Sequence, residues 1–197
     1  MRVKAPNPLD LFPGAADPRL RTVLQTMQLK RLYRQGWLKR GVAEAECESV
    51  ADHSFSVALL ALLAPAPEFP VDRTRAVLLA LLHELGEVYA GDITPVDGVS
   101  KEEKARRELE SVERVLEGHP DAAYLRSLWE EFEAGASPEA RFVRQLDRLE
   151  LGLQAETFKA EGKPRMDEFL ESADRAVTDP ALRSLLRAAS GTAGVAP

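Results

Sequence analysis

Residues 78–92, Leu-Leu-Ala-Leu-Leu-His-Glu-Leu-Gly-Glu-Val-Tyr-Ala-Gly-Asp, place His83, Glu84, Glu87 and Asp92 at the end of one of the most apolar helical runs in the chain. Imidazole and carboxylate groups are costly to remove from water unless a hydrogen bond, a counter-charge or a metal ion compensates them. On a helix His83 and Glu87 stand at i and i+4 and share a face, and Gly91 frees the chain to turn so that Asp92 approaches the same spot. The stretch reads as half of a metal and acid/base site.

Partners for it must come from elsewhere. His53 lies about one turn inside an apolar helix opened by Ser49-Val50-Ala51-Asp52, a capping-box pattern. A lone histidine there is ordinarily a hydrogen-bonded structural residue. The next apolar helix carries His83, however, and helices joined by a short loop (Pro65 to Pro70) pack side by side, so the two rings can converge. Asp147 borders the apolar face of Phe142, Val143, Leu146, Leu149 and Leu153, where it is either a last ligand or the ion-pair partner of Arg144 or Arg148. Asp92, taken alone, is an ordinary turn or capping residue, and His119, between Gly118 and Pro120, reads as a surface histidine. The segment from Lys30 to Arg40 combines Lys30, Arg31, Arg34, Lys39 and Arg40 with Tyr33 and Trp37. It is either a strip that forks onto phosphate oxygens and stacks a base, or a solvated helix end whose cations answer the macrodipole.

The elements that must hold these groups are helices. The first starts after Asp17 as N-cap with Pro18 at N1 and ends near Gly36; the second follows Ser49; the third runs from about Asp72 to Ala90. Ser100 opens a solvated, charge-rich helix from Lys101 to Glu117, residues 121–134 form another, Ser137-Pro138 starts a long one, and one or two closing helices follow. Residues 1–17, rich in proline, read as an extended arm, 18–190 as one domain and 191–197 as a flexible tail. With no useful alternating pattern, glycine-rich phosphate loop or repeat, the fold class is all-α, a single-domain helical bundle.

Composition narrows the function. The chain has 197 residues, 45% hydrophobic and 29% charged, which suits one globular domain. A formal net charge of -6 argues against a nucleic-acid polymer as partner, while leaving room for a small anionic substrate at a local basic cluster. Cys47 is the only cysteine, so there is neither a disulfide nor a Cys-rich zinc site. No apolar run reaches the roughly 18 residues a membrane span requires, and the setting is most simply cytoplasmic.

The order His53, then His83-Glu84, then Asp147, each on its own helix, resembles the H…HD…D pattern of the HD-domain metal-dependent phosphohydrolases. The blocks Leu29-Lys30-Arg31-Leu32, Arg34-Gln35-Gly36-Trp37, Glu48 through Ser54, His83 through Glu87, Gly91 through Pro95 and Gln145-Leu146-Asp147 are similar to the branch that includes the 5'-deoxyribonucleotidases, over roughly residues 20–160. That resemblance implies His53, His83, Glu84 and Asp147 as ligands of one divalent ion, Mn, Co, Fe or Zn by the mixed imidazole and carboxylate set. It implies Glu87 as the acidic residue beside the attacking water, Asp92 as a second acidic active-site position, Arg34 as a phosphate contact and Trp37 as a wall of the substrate pocket. Removal of the 5'-phosphate from a deoxyribonucleoside monophosphate, by a homodimer, is the implied activity. One position departs from the family: Glu84 stands where its Asp is usual, which keeps the ligand type and alters the geometry by one methylene. The rival readings are hydrolysis of another nucleotide and a degenerate, non-catalytic HD-domain binding protein.

Overall fold

Local signals set the helix starts. In the computed structural model, which describes residues 2–65, 67 and 69–192, Asp17 accepts a hydrogen bond from the Arg19 N–H and opens α1 (Pro18–Thr26) with proline at its first position. The capping box forms as read: Ser49 Oγ accepts from the Asp52 N–H at 3.2 Å, and Asp52 Oδ2 accepts from the Ser49 N–H at 2.8 Å. Ser100 and Ser137 cap their helices by accepting from Glu103 and Ala140. The other helices are α2 (Gln35–Lys39), α3 (Val50–Leu63), α4 (Arg73–Leu82), α5 (Glu87–Ala90), α6 (Lys101–Val115), α7 (Ala122–Ala134), α8 (Pro138–Ala160), α9 (Asp167–Ala176) and α10 (Pro180–Thr192). Among the described residues the fold is all-α, with only the isolated bridges Val3–Leu32 and Tyr33–Ser49 in extended pairing.

Two helices end earlier than periodicity suggests. α1 stops at Thr26 rather than near Gly36; a 3-10 turn, Met27–Lys30, follows. Beyond it the backbone pairs with the segment before α3: the Arg34 N–H donates to the Glu48 carbonyl at 3.1 Å and the Val50 N–H to the Leu32 carbonyl at 3.0 Å. The third predicted helix, 72–90, is broken into α4 and α5, with residues 83–86 in turns. Within residues 1–17 the chain forms a 3-10 turn at Pro8–Leu11, and of the tail read at 191–197, residues 193–197 lie outside the described residues.

The chain divides into two compact units. The first comprises Met1–Lys39, Ala43–Ser54 and Leu82–Glu130. Its core gathers Leu32, Val50, Leu85, Val88, Val112 and Val115, and α6 packs on α5 so closely that a Cβ on Gly86 would lie 2.7 Å from the Glu108 Cβ. The second comprises Arg40–Val42, Phe55–Leu81 and Glu131–Pro197, in which α8 packs against α9 and α10. There Gly152 permits the approach: a Cβ would meet Leu186 Cδ1 at 2.7 Å and the Ala173 Cβ at 2.8 Å.

Candidate active site

α4 delivers its ionisable groups by stopping. After Leu82 the Leu85 N–H bonds the Leu82 carbonyl and the Glu87 N–H bonds the Glu84 carbonyl, both spaced three residues apart, so the chain tightens through His83 and Glu84 instead of continuing as an α-helix. His83 and Glu87 therefore do not share one helical face as i, i+4 residues. Gly91 ends α5 with φ 78°, the left-handed conformation that suits glycine, and Asp92 follows.

This turn meets the first residues of α3. The His53 and His83 rings lie 5.4 Å apart between centroids at 61°, and both are buried. Their Nε2 atoms stand 3.7 and 3.5 Å from the same oxygen, Glu84 Oε1. One donor atom from each of the three residues lies within 4.8 Å of the others. A divalent ion binds such donors at about 2.0–2.2 Å, so two donors across it lie at most about 4.4 Å apart, and the Nε2 to Oε1 separations fit that limit. Two imidazoles and one carboxylate suit Mn, Co, Fe or Zn.

Glu84 Oε1 also receives Arg34 Nη1 at 3.3 Å, and Arg34 Nε lies 3.9 Å from Glu48 Oε1. Burial acts to lower the Arg34 pKa, but the carboxylates of Asp92, Glu84, Glu87 and Glu48 outweigh it, and the guanidinium is held charged beyond its ordinary value. Glu87 is 2% exposed and its Oε2 has no hydrogen-bond partner among the described residues. Burial, with Glu84 and Asp92 adding to it, pushes its carboxyl well above the usual range, and Arg34 and Lys104 only partly offset that. Asp92 Oδ2 accepts the Gln35 N–H at 2.6 Å and so ties the loop to the residue after Arg34.

The structure thus brings Arg34, His53, His83, Glu84, Glu87 and Asp92 together in the first unit. Asp147 belongs to the second, on α8, with Arg148 Nε 3.5 Å from its Oδ2. Trp37 is 1% exposed and its indole N–H donates to Glu48 Oε1 at 2.7 Å. A cavity of about 260 Å³ opens beside Asp92, and Gln35 rather than Trp37 is on its wall, with Lys39, Asp97 and Arg107. The basic strip of residues 30–40 does not act as one surface. Arg34 turns inward, Lys39 bonds Thr94 and Asp97, Arg31 bonds the Pro6 carbonyl, and Arg40 pairs with Glu168 in the second unit. Sequence reasoning gave Glu48 no role; its signals were its place one residue before the capping box and at the head of the block Glu48 through Ser54.

The HD domain family model matches residues 26–183. The chain is 41% identical over 149 residues to the 5'-deoxynucleotidase HDDC2 of Homo sapiens, covering 74% of this chain and 71% of that protein. It is 39% identical over 164 residues to the 5'-deoxynucleotidase HDDC2 of Danio rerio, covering 81% and 80%. Among solved structures, the PH0347 protein from Pyrococcus horikoshii OT3 superposes with a TM-score of 0.73 at 29% identity, over 87% of this chain and 98% of that one. A protein from Magnetospirillum magnetotacticum MS-1, described as a predicted metal-dependent phosphohydrolase, superposes with a TM-score of 0.65 at 30% identity, over 89% and 93%.

Proposed function

The chain belongs to the HD-domain family, and on that premise we propose that it is a metal-dependent phosphohydrolase that removes the 5'-phosphate from deoxyribonucleoside monophosphates. The observation that carries this reading is the meeting of three groups at one carboxylate oxygen: His53, His83 and Arg34 all face Glu84 Oε1. A metal-donor set and a phosphate-binding cation share a carboxylate there, which puts both within reach of one phosphate monoester. His53, His83 and Glu84 would hold the ion. When bound, a divalent ion lowers the pKa of water and offsets charge on phosphoryl oxygens.

The protein's own residues supply the rest. Arg34, kept charged by the carboxylates around it, donates a fork of hydrogen bonds to the non-bridging phosphate oxygens and follows the charge that grows on them. Glu87, with its raised pKa and unbonded Oε2, takes the proton of the attacking water. Asp92 fixes the backbone next to Arg34, and Trp37 acts at one remove by holding Glu48 against that guanidinium. Asp147 enters the ligand set on the resemblance alone; metal content of Asp147→Asn below that of the wild type is the outcome that supports it.

The direct test is phosphate release from the four deoxyribonucleoside monophosphates after loading with Mn²⁺, Co²⁺, Fe²⁺ or Zn²⁺, together with elemental analysis. Turnover that chelation abolishes and a re-added ion restores is the expected result. No bound metal and no turnover with any of the ions would establish the non-catalytic alternative. Glu84→Asp, which restores the family's usual residue, is expected to retain metal and raise turnover.

Two further features complete the reading. Within the second unit Phe55, Leu62 and Leu63 of α3 and Leu81 of α4 are exposed by 60%, 54%, 77% and 47%, large apolar side chains left to solvent that support a homodimer. Light scattering at micromolar concentration checks it, and a monomer mass there overturns it. The buried Cys47, its thiol pushed up to about 12 chiefly by burial, fits a reducing cytoplasmic setting, and no helix among the described residues is long and apolar enough to cross a membrane.

A further inference from the structure

The cavity beside Asp92 has room for part of a ligand, about 260 Å³, somewhat below the roughly 300–1,000 Å³ typical of small-molecule sites. Most polar groups on its wall are already committed. The Gln35 side-chain oxygen accepts from the Arg2 N–H, and its amide donates to the Arg2 and Tyr33 carbonyls. The Lys39 ammonium donates to Thr94 Oγ1 at 2.7 Å and to both Asp97 oxygens at 2.6 Å, and Asp97 Oδ2 also accepts from the Thr94 N–H. Asp92 spends Oδ2 on the Gln35 N–H.

Arg107 is different. Its Nε donates to Glu103 Oε1 at 2.6 Å, and among the described residues its two terminal nitrogens make no hydrogen bond. The wall therefore offers an incoming molecule one unused donor fork, at Arg107. Such a fork suits two adjacent acceptors, the pattern that the O6 and N7 edge of guanine presents, and it disfavours an exocyclic amino group, which is itself a donor.

We infer that the cavity receives the nucleoside end of the substrate and that Arg107 is a specificity-determining residue that favours oxo bases, guanine foremost and thymine next, over the amino bases adenine and cytosine. This rests on the nucleotide reading of the adjacent site. It assigns a task to α6, which by sequence is a solvated surface helix.

The test separates the two claims by using nucleosides, which carry no phosphate. Metal-free protein is titrated with deoxyguanosine, thymidine, deoxyadenosine and deoxycytidine, with NMR to follow binding. The expected result is deoxyguanosine bound about fivefold to tenfold more tightly than deoxyadenosine. That contrast falls to within about twofold in Arg107→Ala and is only partly kept in Arg107→Lys, which retains charge without the fork. Equal binding of all four by the wild type, or an undiminished contrast in Arg107→Ala, would overturn the inference. In the catalytic arm, kcat/KM for the monophosphates follows the same order and loses it in Arg107→Ala. Base preference in binding without turnover on any monophosphate removes the nucleotidase reading and leaves the role of Arg107 standing.

Discussion

Glu87 in the first unit and Asp179 in the second are both buried carboxylates, 2% and 7% exposed, and the fold treats them in opposite ways. Asp179 Oδ1 accepts the N–H groups of Ala181 and Leu182 at 3.0 and 3.1 Å, so its burial is repaid by capping α10. Among the described residues Glu87 leaves Oε2 without a hydrogen bond, beside two further carboxylates. A group buried at a cost and left unbonded marks a place where stability has been traded for chemistry; a buried group with its bonds made marks ordinary architecture. The glycines repeat the contrast. Gly86 lets α6 close on the turn that carries His83 and Glu84, whereas Gly152 only lets α8 take in Leu186 and Ala173.

The sharpest way to break this contrast is Glu87→Gln. Phosphate release is expected to fall by about 10²- to 10⁴-fold, the range typical of lost general-base catalysis. Thermal stability should match or exceed the wild type, because a neutral amide replaces a carboxyl that is costly to ionise there. A variant that is fully active, or one that simply unfolds, would place Glu87 with Asp179 as architecture.

Gly152→Ala is next in size and opposite in kind. The added methyl meets Leu186 and Ala173 below van der Waals distance, an overpacking cost of about 1–3 kcal/mol, from which the better helix propensity of alanine returns at most about 1 kcal/mol. Urea denaturation should show the loss, while turnover per folded molecule stays at the wild-type level. Asp179→Ala should cost about 1 kcal/mol by removing the α10 cap, again with turnover unchanged.

The smallest effect concerns acid stability of the first unit. Hydrogen bonds from Lys39 foremost, then Thr94, hold the Asp97 carboxyl down at about 2, below its ordinary value of 3.8. A carboxyl lowered on folding stabilises the protein above its unfolded pKa and loses that contribution as pH falls through the folded one. Asp97→Asn should therefore show a shallower decline in melting temperature between about pH 4 and pH 2 than the wild type, and the difference should be slight because the pair is solvent-exposed.

Asp17, Ser49, Ser100 and Ser137 announced their helices because a cap joins residues two or three positions apart, and such a pattern is written within a few letters of sequence. The concentration of His83, Glu84, Glu87 and Asp92 behind an apolar run was equally visible, as was the pairing of that turn with His53. Where α1 and the third helix stop was not. Those ends depend on the Tyr33–Ser49 pairing and on the fit of Gly86 against Glu108, contacts between segments whose separation in sequence leaves no periodic trace.

From its sequence alone, then, this chain declares an all-α fold, its helix starts and the residue types able to bind a metal and a phosphate, since propensity, capping and hydrophobic period act over one or two turns. Only the tertiary structure decides that Arg34, fifty residues before Glu84, turns inward to meet it, that Trp37 serves Glu48, and that Arg107 keeps a donor fork on the cavity wall that no described residue uses. Each of those outcomes depends on which distant backbone segments pair and which polar groups have already found partners.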